Sequence, residues 1–328
     1  MAMAVLCPLP ANLPSAGITR MPRSVLTRDF RMRVPYELKQ DQSRLFHNLP
    51  SGLDMEVIFQ RGRDCRNPDK RRERSENPAL VFVHGSFHAA WCWAEHWLPF
   101  FSQNGYDCYA LSLLGQGESD APAGPVVGTL QTHAADVADF IKNKIRSPPV
   151  LLGHSFGGLI VQSYVANIRS GQMSESLHPD LSGAVLICSV PPSGNSGLVW
   201  RYLFSKPIAA FKGSSSLSKG EENDLESHNV TQDMNNQKLM TESSRMPLFD
   251  LRKLNASLPV PSSPEGSINI LVIGASDDFI VDAEGLRETG RFYGVSPVCI
   301  EGVAHDLMLD CSWEKGASAI LSWLSGLS

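Results

Sequence analysis

The sequence lacks any apolar run in its interior that could cross a membrane. Runs such as Leu80–Val83 and Val185–Cys188 are far shorter than the ~20 residues that a transmembrane helix needs. A strong positive charge is also absent, because 29 Lys and Arg stand against 34 Asp and Glu and give a net charge of −5. We therefore expect no integral membrane segment and no nucleic acid partner.

Paired cysteines are missing as well. The seven cysteines are scattered singly without any Cys-x-x-Cys spacing, which argues against zinc and thioredoxin-like motifs. Cys188 and Cys299 stand in apolar, strand-like runs, so we expect reduced, buried thiols and a reducing compartment. The chain does contain 42% hydrophobic residues among its 328, enough to fill one large domain with an appendage or two small domains.

Residues 1–45 are predicted to form a leader outside the fold. The leader contains five prolines, five arginines between positions 20 and 33, and no acidic residue before Asp29. An Arg-containing, acid-poor leader resembles an organelle transit peptide, which favours a chloroplast location. The alternative is a disordered extension of a cytoplasmic protein.

Strands and helices alternate over most of the remaining chain. Continuous apolar runs such as Ala79–Val83 are typical of buried parallel strands, and the periodicity of Leu130–Ile145 is typical of a helix. Further strands are predicted at 55–59, 107–113, 183–190, 268–274 and 297–300, and further helices at 283–292 and 313–324. This order predicts an α/β fold with a mainly parallel, doubly wound sheet that has helices on both faces.

Gly153-His154-Ser155-Phe156-Gly157 lies between an apolar strand and a helix. The Gly-x-Ser-x-Gly pattern is that of a nucleophile elbow, in which a serine on a sharp turn stands clear of its neighbours. Gly153 and Gly157 leave room for the turn, because a Cβ at either position would collide with the opposite arm. The pattern predicts that Ser155 is a nucleophile beside the positive end of a helix dipole.

A second motif, His84-Gly85-Ser86, follows the strand at 79–83 and precedes an aromatic-rich helix start. With the elbow and the Gly115-Gln116-Gly117 loop, it resembles the α/β-hydrolase superfamily, in the branch of plant methylesterases and hydroxynitrile lyases. The resemblance covers roughly residues 55–326. It implies that the backbone N–H groups of Ser86 and Phe156 form an oxyanion hole. We expect the side chains of His84, His88 and Trp91 only to pack the loop.

The same resemblance implies a domain organisation. The hydrolase core takes residues 46–190 and 268–328, and a helical cap is inserted at 191–267, with short helices expected near 199–211 and 233–245. Ser112 and Leu114 stand where the family often has Asp and Arg, a departure that concerns the anchoring of a loop more than catalysis.

A serine hydroxyl needs an imidazole base that a carboxylate holds in one tautomer. In α/β-hydrolases the chain order is Ser, acid, His, and of the histidines after Ser155 only His305 follows a strand-end carboxylate and a final strand. The others are His178 and His228. The acid is Asp278, which fits the family's spacing, or the adjacent Asp277, which a count from Gly274 selects.

The resemblance implies a serine hydrolase that cleaves a small carboxylic ester or related acyl substrate through an acyl-enzyme, without a cofactor or metal ion. One alternative is a hydroxynitrile lyase-like elimination, which we disfavour because those enzymes have Lys beside the catalytic histidine and this chain has Asp306. Another is a receptor-like protein that binds a small metabolite. Asp306 and Asp310 are expected to act only within their loop. The acyl group and the oligomeric state are left open.

Overall fold

In a computed structural model of the protein, the structure describes residues 35–63, 77–168, 178–194, 235–243, 246–262 and 268–327. The leader up to residue 34 and the cap helix expected near 199–211 lie outside these residues, so both, together with the chloroplast location, stay predictions. Within the described part of the predicted cap, residues 235–243 are helical.

The described strands form one eight-stranded sheet in the order β1-β2-β4-β3-β5-β6-β7-β8. The strands are β1 (Gln42–Asn48), β2 (Asp54–Gln60), β3 (Leu80–Val83), β4 (Cys108–Leu111), β5 (Val150–His154), β6 (Gly183–Ile187), β7 (Ile270–Ala275) and β8 (Val298–Ile300). Strand β2 pairs antiparallel with both β1 and β4, and all other neighbours are parallel. The predicted mainly parallel sheet is confirmed.

Strand β1 corrects the predicted end of the leader at residue 45. It begins at Gln42 and pairs along its whole length with β2. The fold extends further still, because Tyr36 is buried and its carbonyl accepts a hydrogen bond from Nη2 of Arg44 at 2.7 Å. An edge strand with mostly polar side chains lacks the continuous apolar run that identifies a central strand, so the sequence pattern missed it.

The described helices pack on both faces of this sheet. They are α1 (Trp91–Ala94), α2 (Trp97–Gln103), α3 (Leu130–Lys144), α4 (Phe156–Ala166), α5 (residues 235–243), α6 (Leu251–Ala256), α7 (Ala283–Tyr293) and α8 (Trp313–Leu324). Alternate residues of β3 separate the two faces: Val81 and Val83 join the core with α3 and α4, while Leu80 and Phe82 join the core with α2 and α8. This two-sided core explains the continuous apolar run of β3.

The parallel strands bring several loops to one edge of the sheet. The residues that follow β3, β5, β6, β7 and β8 there include Gly85, Ser155, Cys188, Asp278 and His305. Residues 246–249 also contact this region, because the ring of Phe249 lies 5.4 Å from that of Phe156. The functional residues predicted from the sequence are therefore gathered at this edge.

Two expectations about surface and membrane properties can be compared with the structure. Cys188 is buried as expected, but Cys299 is exposed, because it lies on β8, the short edge strand of which only Ile300 is buried. Within the described residues, none of the helices combines the length and apolar character that crossing a membrane requires.

Candidate active site

Ser155 occupies the sharp turn between β5 and α4. Its backbone has φ 54° and ψ −118°, a conformation that costs a non-glycine residue on the order of 1–3 kcal/mol. The turn is held because the Ser155 N–H donates to the carbonyl of Ile187 at 3.0 Å, and the Ser155 carbonyl accepts from the N–H of Val190 at 3.2 Å. The structure therefore has the strained strand-to-helix turn that the Gly-x-Ser-x-Gly pattern predicts.

Glycines allow the elbow to lie directly against its neighbours. A Cβ added at Gly153 would lie 2.5 Å from the carbonyl oxygen of Gly157, on the opposite arm of the turn. A Cβ added at Gly157 would lie 2.5 Å from the carbonyl oxygen of Val83, so that glycine makes room for the end of β3 rather than for the turn itself. A Cβ at Gly85 would lie 2.9 Å from Cβ of Ser155. The loop that carries Ser86 thus packs against the predicted nucleophile.

Two buried imidazoles hold this loop. Nδ1 of His84 lies 2.7 Å from the Gly85 carbonyl, and its Nε2 accepts the N–H of Leu113 at 3.0 Å. Burial lowers the pKa of His84 to about 3, so the ring is neutral, as this hydrogen-bond pattern requires. Nδ1 of His88 lies 2.8 Å from the carbonyl of Ser86. The imidazoles therefore pack and orient the loop, and the oxyanion role of the N–H groups of Ser86 and Phe156 stays a prediction.

Of the two adjacent aspartates, only Asp278 reaches His305. Its Oδ2 lies 2.7 Å from Nδ1 of His305, and its Oδ1 accepts the N–H groups of Ile280 and Val281 at 2.7 and 2.8 Å. Asp277 is exposed and accepts a hydrogen bond from the hydroxyl of Ser276. The spacing argument that favoured Asp278 over Asp277 thus agrees with the side-chain directions.

His305 lies beside the elbow. Nε2 of His154 donates to the carbonyl of His305 at 3.0 Å, and the two ring centroids are 4.7 Å apart. Burial alone would lower the pKa of His305, but the charge and hydrogen bond of Asp278, with the charge of Asp306, outweigh it and raise this pKa above its usual value. In contrast, burial and the neighbouring His305 and His88 hold the pKa of His154 well below its usual range.

The two other candidate bases do not join this group. Nδ1 of His178 lies 3.1 Å from the carbonyl of Tyr164, at the far end of α4 from the elbow. His228 lies outside the described residues. Asp310 acts within its loop as expected, because its carboxylate accepts the N–H of Ala304 at 3.0 Å and that of Ser312 at 2.8 Å and so fixes the segment that carries His305.

Sequence reasoning missed the role of Glu56. This buried carboxylate accepts hydrogen bonds from Nε of Arg44 at 2.6 Å, from Oγ of Ser112 at 2.7 Å and from the N–H of Glu118 at 2.9 Å. Oγ of Ser112 in turn accepts the N–H of Ala90 at 2.9 Å. The departure at position 112 is thereby compensated, because Glu56 reaches the loop that the more usual aspartate would anchor. A glutamate within an apolar strand is the signal that could have identified it.

Two groups of side chains could ligate a metal ion among the described residues. One consists of Cys188, Asp278 and His305, and the other of His88, His154 and Asp306; in each group one possible ligand atom per residue lies within 4.8 Å of the others. Cys188 has φ 43° and follows β6 directly, and its burial and the nearby Asp278 raise the pKa of its thiol. Asp306, expected to act only within its loop, faces two imidazoles instead.

Comparison with known proteins shows that the chain belongs to a known family. The sequence model of the Alpha/beta hydrolase family matches residues 80–317. The chain is 35% identical over 113 residues to the non-heme chloroperoxidase of Streptomyces lividans, which covers 34% of this chain and 37% of that protein. It is 32% identical over 119 residues to protein phosphatase methylesterase 1 of Mus musculus, covering 35% and 30%.

The matched stretch therefore spans only about a third of the length of these two relatives. Among solved structures, an epoxide hydrolase from Vigna radiata superposes with a TM-score of 0.60 over 89% of this chain and all of that one, at 15% sequence identity. At that identity the likeness concerns the fold alone.

Proposed function

Because the chain belongs to the α/β-hydrolase family, we propose that it is a serine hydrolase that cleaves a carboxylic ester or a related acyl substrate. The observation that carries this proposal is the arrangement at the sheet edge. Ser155 lies on a strained turn that packs against the loop of Gly85. His305 contacts Asp278 at 2.7 Å. The carbonyl of His305 accepts a hydrogen bond from His154, the residue before Ser155. The methylesterase relative supports an ester bond as the target.

In the proposed reaction, Oγ of Ser155 attacks the carbonyl carbon of the ester while Nε2 of His305 takes the hydroxyl proton. Asp278 keeps the other imidazole proton on Nδ1 and stabilises the imidazolium that forms. The tetrahedral oxyanion accepts hydrogen bonds from the N–H groups of Ser86 and Phe156, each of which contributes about 3 kcal/mol at such a site.

The intermediate collapses when His305 returns the proton to the departing alcohol, which leaves an acyl group on Ser155. A water molecule then loses a proton to His305, attacks the acyl carbon and releases the acid. Ser155 regains its proton from the imidazole, so both the enzyme and the proton count are restored. All these steps use groups of this chain and water.

A fluorophosphonate probe tests the proposal directly, since it labels only an activated serine. We expect the wild-type chain to be labelled and Ser155→Ala to be unlabelled. Ser163→Ala is the matched control, because it removes another buried hydroxyl from the helix that follows the elbow. Equal labelling of the wild type and Ser155→Ala would refute the proposal.

A panel of p-nitrophenyl esters of increasing acyl length then defines the substrate class. We expect hydrolysis of at least one ester and its loss in Ser155→Ala. Cleavage of a cyanohydrin without ester hydrolysis would instead favour the lyase alternative. Thermal stabilisation by a small metabolite without turnover would favour the receptor-like alternative.

A further inference from the structure

His88, His154 and Asp306 form a buried cluster behind the proposed catalytic loop. Oδ1 of Asp306 lies 3.7 Å from Nε2 of His88 and 3.7 Å from Nε2 of His154. The three side chains are only 3%, 1% and 12% exposed. These separations are too long for hydrogen bonds. They are close to the spacing of tetrahedral zinc ligands, about 3.4 Å apart when each bond is about 2.1 Å long.

His88 has the hydrogen-bond pattern of a metal ligand. Its Nδ1 lies 2.8 Å from the carbonyl of Ser86 and so carries the proton, which leaves a lone pair on Nε2. Nε2 is buried and has no hydrogen-bond partner among the residues that the structure describes. A ligating histidine typically donates its other N–H to a backbone carbonyl, which fixes the tautomer and the ring orientation. The Ser86 carbonyl already serves this purpose.

His154 can complete the set at the cost of one hydrogen bond. Its Nε2 donates to the carbonyl of His305 at 3.0 Å, and its Nδ1 is buried without a hydrogen-bond partner in the described part of the chain. Ligation through Nε2 requires the proton to leave that nitrogen, either to Nδ1 or to solvent. The bond to the His305 carbonyl is then lost, so metal binding is coupled to the position of His305.

The other possible ligand group is less suited to a metal. Nδ1 of His305 and Oδ2 of Asp278 are already joined at 2.7 Å, and Oδ1 of Asp278 accepts two backbone N–H groups. A metal held by Cys188, Asp278 and His305 would have to displace these contacts. In the first cluster, Nε2 of His88 has no hydrogen-bond partner among the described residues, and Asp306 faces both rings. Only the hydrogen bond from His154 to the His305 carbonyl has to be displaced.

We propose that His88, His154 and Asp306 bind a Zn²⁺ ion as its three protein ligands. Imidazole and carboxylate ligands are those that zinc takes in sites with three protein ligands. Zinc binding does not require the reaction proposed for Ser155 to take place. If that proposed function holds, zinc also inhibits it, because the metal removes the contact between His154 and the His305 loop and draws Asp306 away from His305.

Zinc binding is measured by calorimetric titration of the Ser155→Ala chain, in which turnover plays no part. We expect one tightly bound Zn²⁺ and a rise in the midpoint of thermal unfolding. Asp306→Asn and His88→Gln, each added to this background, should weaken binding at least about tenfold. Three controls should retain it: Asp277→Asn removes an exposed carboxylate, His133→Gln removes another buried imidazole, and Cys188→Ser alters the competing group.

Several results would overturn the proposal. They are the absence of bound zinc, unchanged affinity in Asp306→Asn and His88→Gln, and loss of binding in Cys188→Ser alone. Should the cluster variants fail to fold, the Co²⁺ complex of the Ser155→Ala chain decides the question. We expect visible bands of a four-coordinate nitrogen and oxygen site, and a thiolate charge-transfer band would contradict the assignment.

The effect of Zn²⁺ on ester hydrolysis distinguishes the zinc site from the hydrolase activity. We expect zinc to inhibit the wild-type chain reversibly, with release by a chelator, and to inhibit Asp306→Asn much less. If the chain hydrolyses no ester, the proposed function fails while the calorimetric result still decides whether the zinc site exists.

Discussion

Glu56 and Asp306 are buried carboxylates at the same edge of the sheet, and their surroundings differ. Glu56 accepts three hydrogen bonds of 2.6 to 2.9 Å, from a guanidinium, a hydroxyl and a backbone N–H. Asp306 faces two imidazole nitrogens at 3.7 Å. A buried carboxylate that is fully hydrogen-bonded stabilises one arrangement of the chain, whereas one that accepts no close hydrogen bond from the rings it faces can still bind a cation.

Asp278 combines features of both. Its Oδ1 is held by two backbone N–H groups, and its Oδ2 contacts His305. The first oxygen fixes the carboxylate in place, and the second acts on the imidazole. The number of hydrogen-bond donors around each oxygen therefore distinguishes a carboxylate that anchors the chain from one that acts on another group.

The largest expected effect is that of Asp278→Asn on catalysis. The amide of asparagine would donate to Nδ1 of His305 and so select the tautomer with its proton on Nε2, which cannot accept the Ser155 proton. We expect kcat/KM for an ester to fall by about 10⁴-fold. Steady-state kinetics beside Asp277→Asn checks this. A similar loss in both variants would mean that Asp278 has no special role.

Glu56→Gln should act on stability instead. It leaves Arg44 without its carboxylate and replaces one of the two acceptor oxygens by an amide NH₂ group, so we expect about 3 kcal/mol less free energy of unfolding. Urea denaturation measures this, and kcat/KM of the folded variant should stay within a few-fold of the wild type. Asp41→Asn is the control: its pair with Arg63 is more than half exposed and should contribute less than about 1 kcal/mol. Equal effects in both variants would contradict the anchoring role of Glu56.

His133→Gln should change the response of stability to acid. Burial lowers the pKa of His133 to about 4. Between pH 6.5 and 4 the unfolded chain therefore binds a proton that the folded chain excludes, and stability falls as the pH falls. Glutamine can still donate to the Leu248 carbonyl, the partner of His133 Nε2 at 2.9 Å. In the variant, the free energy of unfolding should therefore fall less steeply with decreasing pH, by up to about 1.4 kcal/mol per pH unit. Urea denaturation across this pH range measures the difference. An unchanged slope would refute this.

Asp306→Asn should have the smallest effect on stability. Its Oδ1 accepts no close hydrogen bond from His88 or His154, so replacing the charge should change the free energy of unfolding by less than about 1 kcal/mol in the absence of metal. The same denaturation experiment with Glu56→Gln provides the contrast. A loss as large as that of Glu56→Gln would show that Asp306 is an anchor too.

Local motifs made much of the fold and candidate site predictable. Gly-x-Ser-x-Gly requires a strand, a sharp turn and a helix within a few residues, so the elbow at Ser155 could be located from spacing alone. Continuous apolar runs identified the central parallel strands, whose carboxyl ends share one edge. The position of His305 after the last of these strands followed from chain order.

Features that depend on side-chain direction or on partners far away in the sequence could not be predicted from local patterns. Strand β1 carries few apolar residues and is recognised only by its pairing with β2. Cys299 is exposed because β8 is an edge strand. The apolar residues next to Cys299 in the sequence do not show that the strand lies at an edge. Glu56 and Ser112 are 56 residues apart, and no local pattern joins them.

By itself, the sequence determined the order of the central strands and the helices between them, the elbow and the candidate base, because hydrophobic periodicity and turn geometry are local properties. Only the tertiary structure decided that Asp278 rather than Asp277 meets His305, that Glu56 anchors the loop near Ser112, and that Asp306 faces His88 and His154. Each of these depends on where a side chain points once distant segments have packed together, and neighbouring residues in the sequence do not fix that direction.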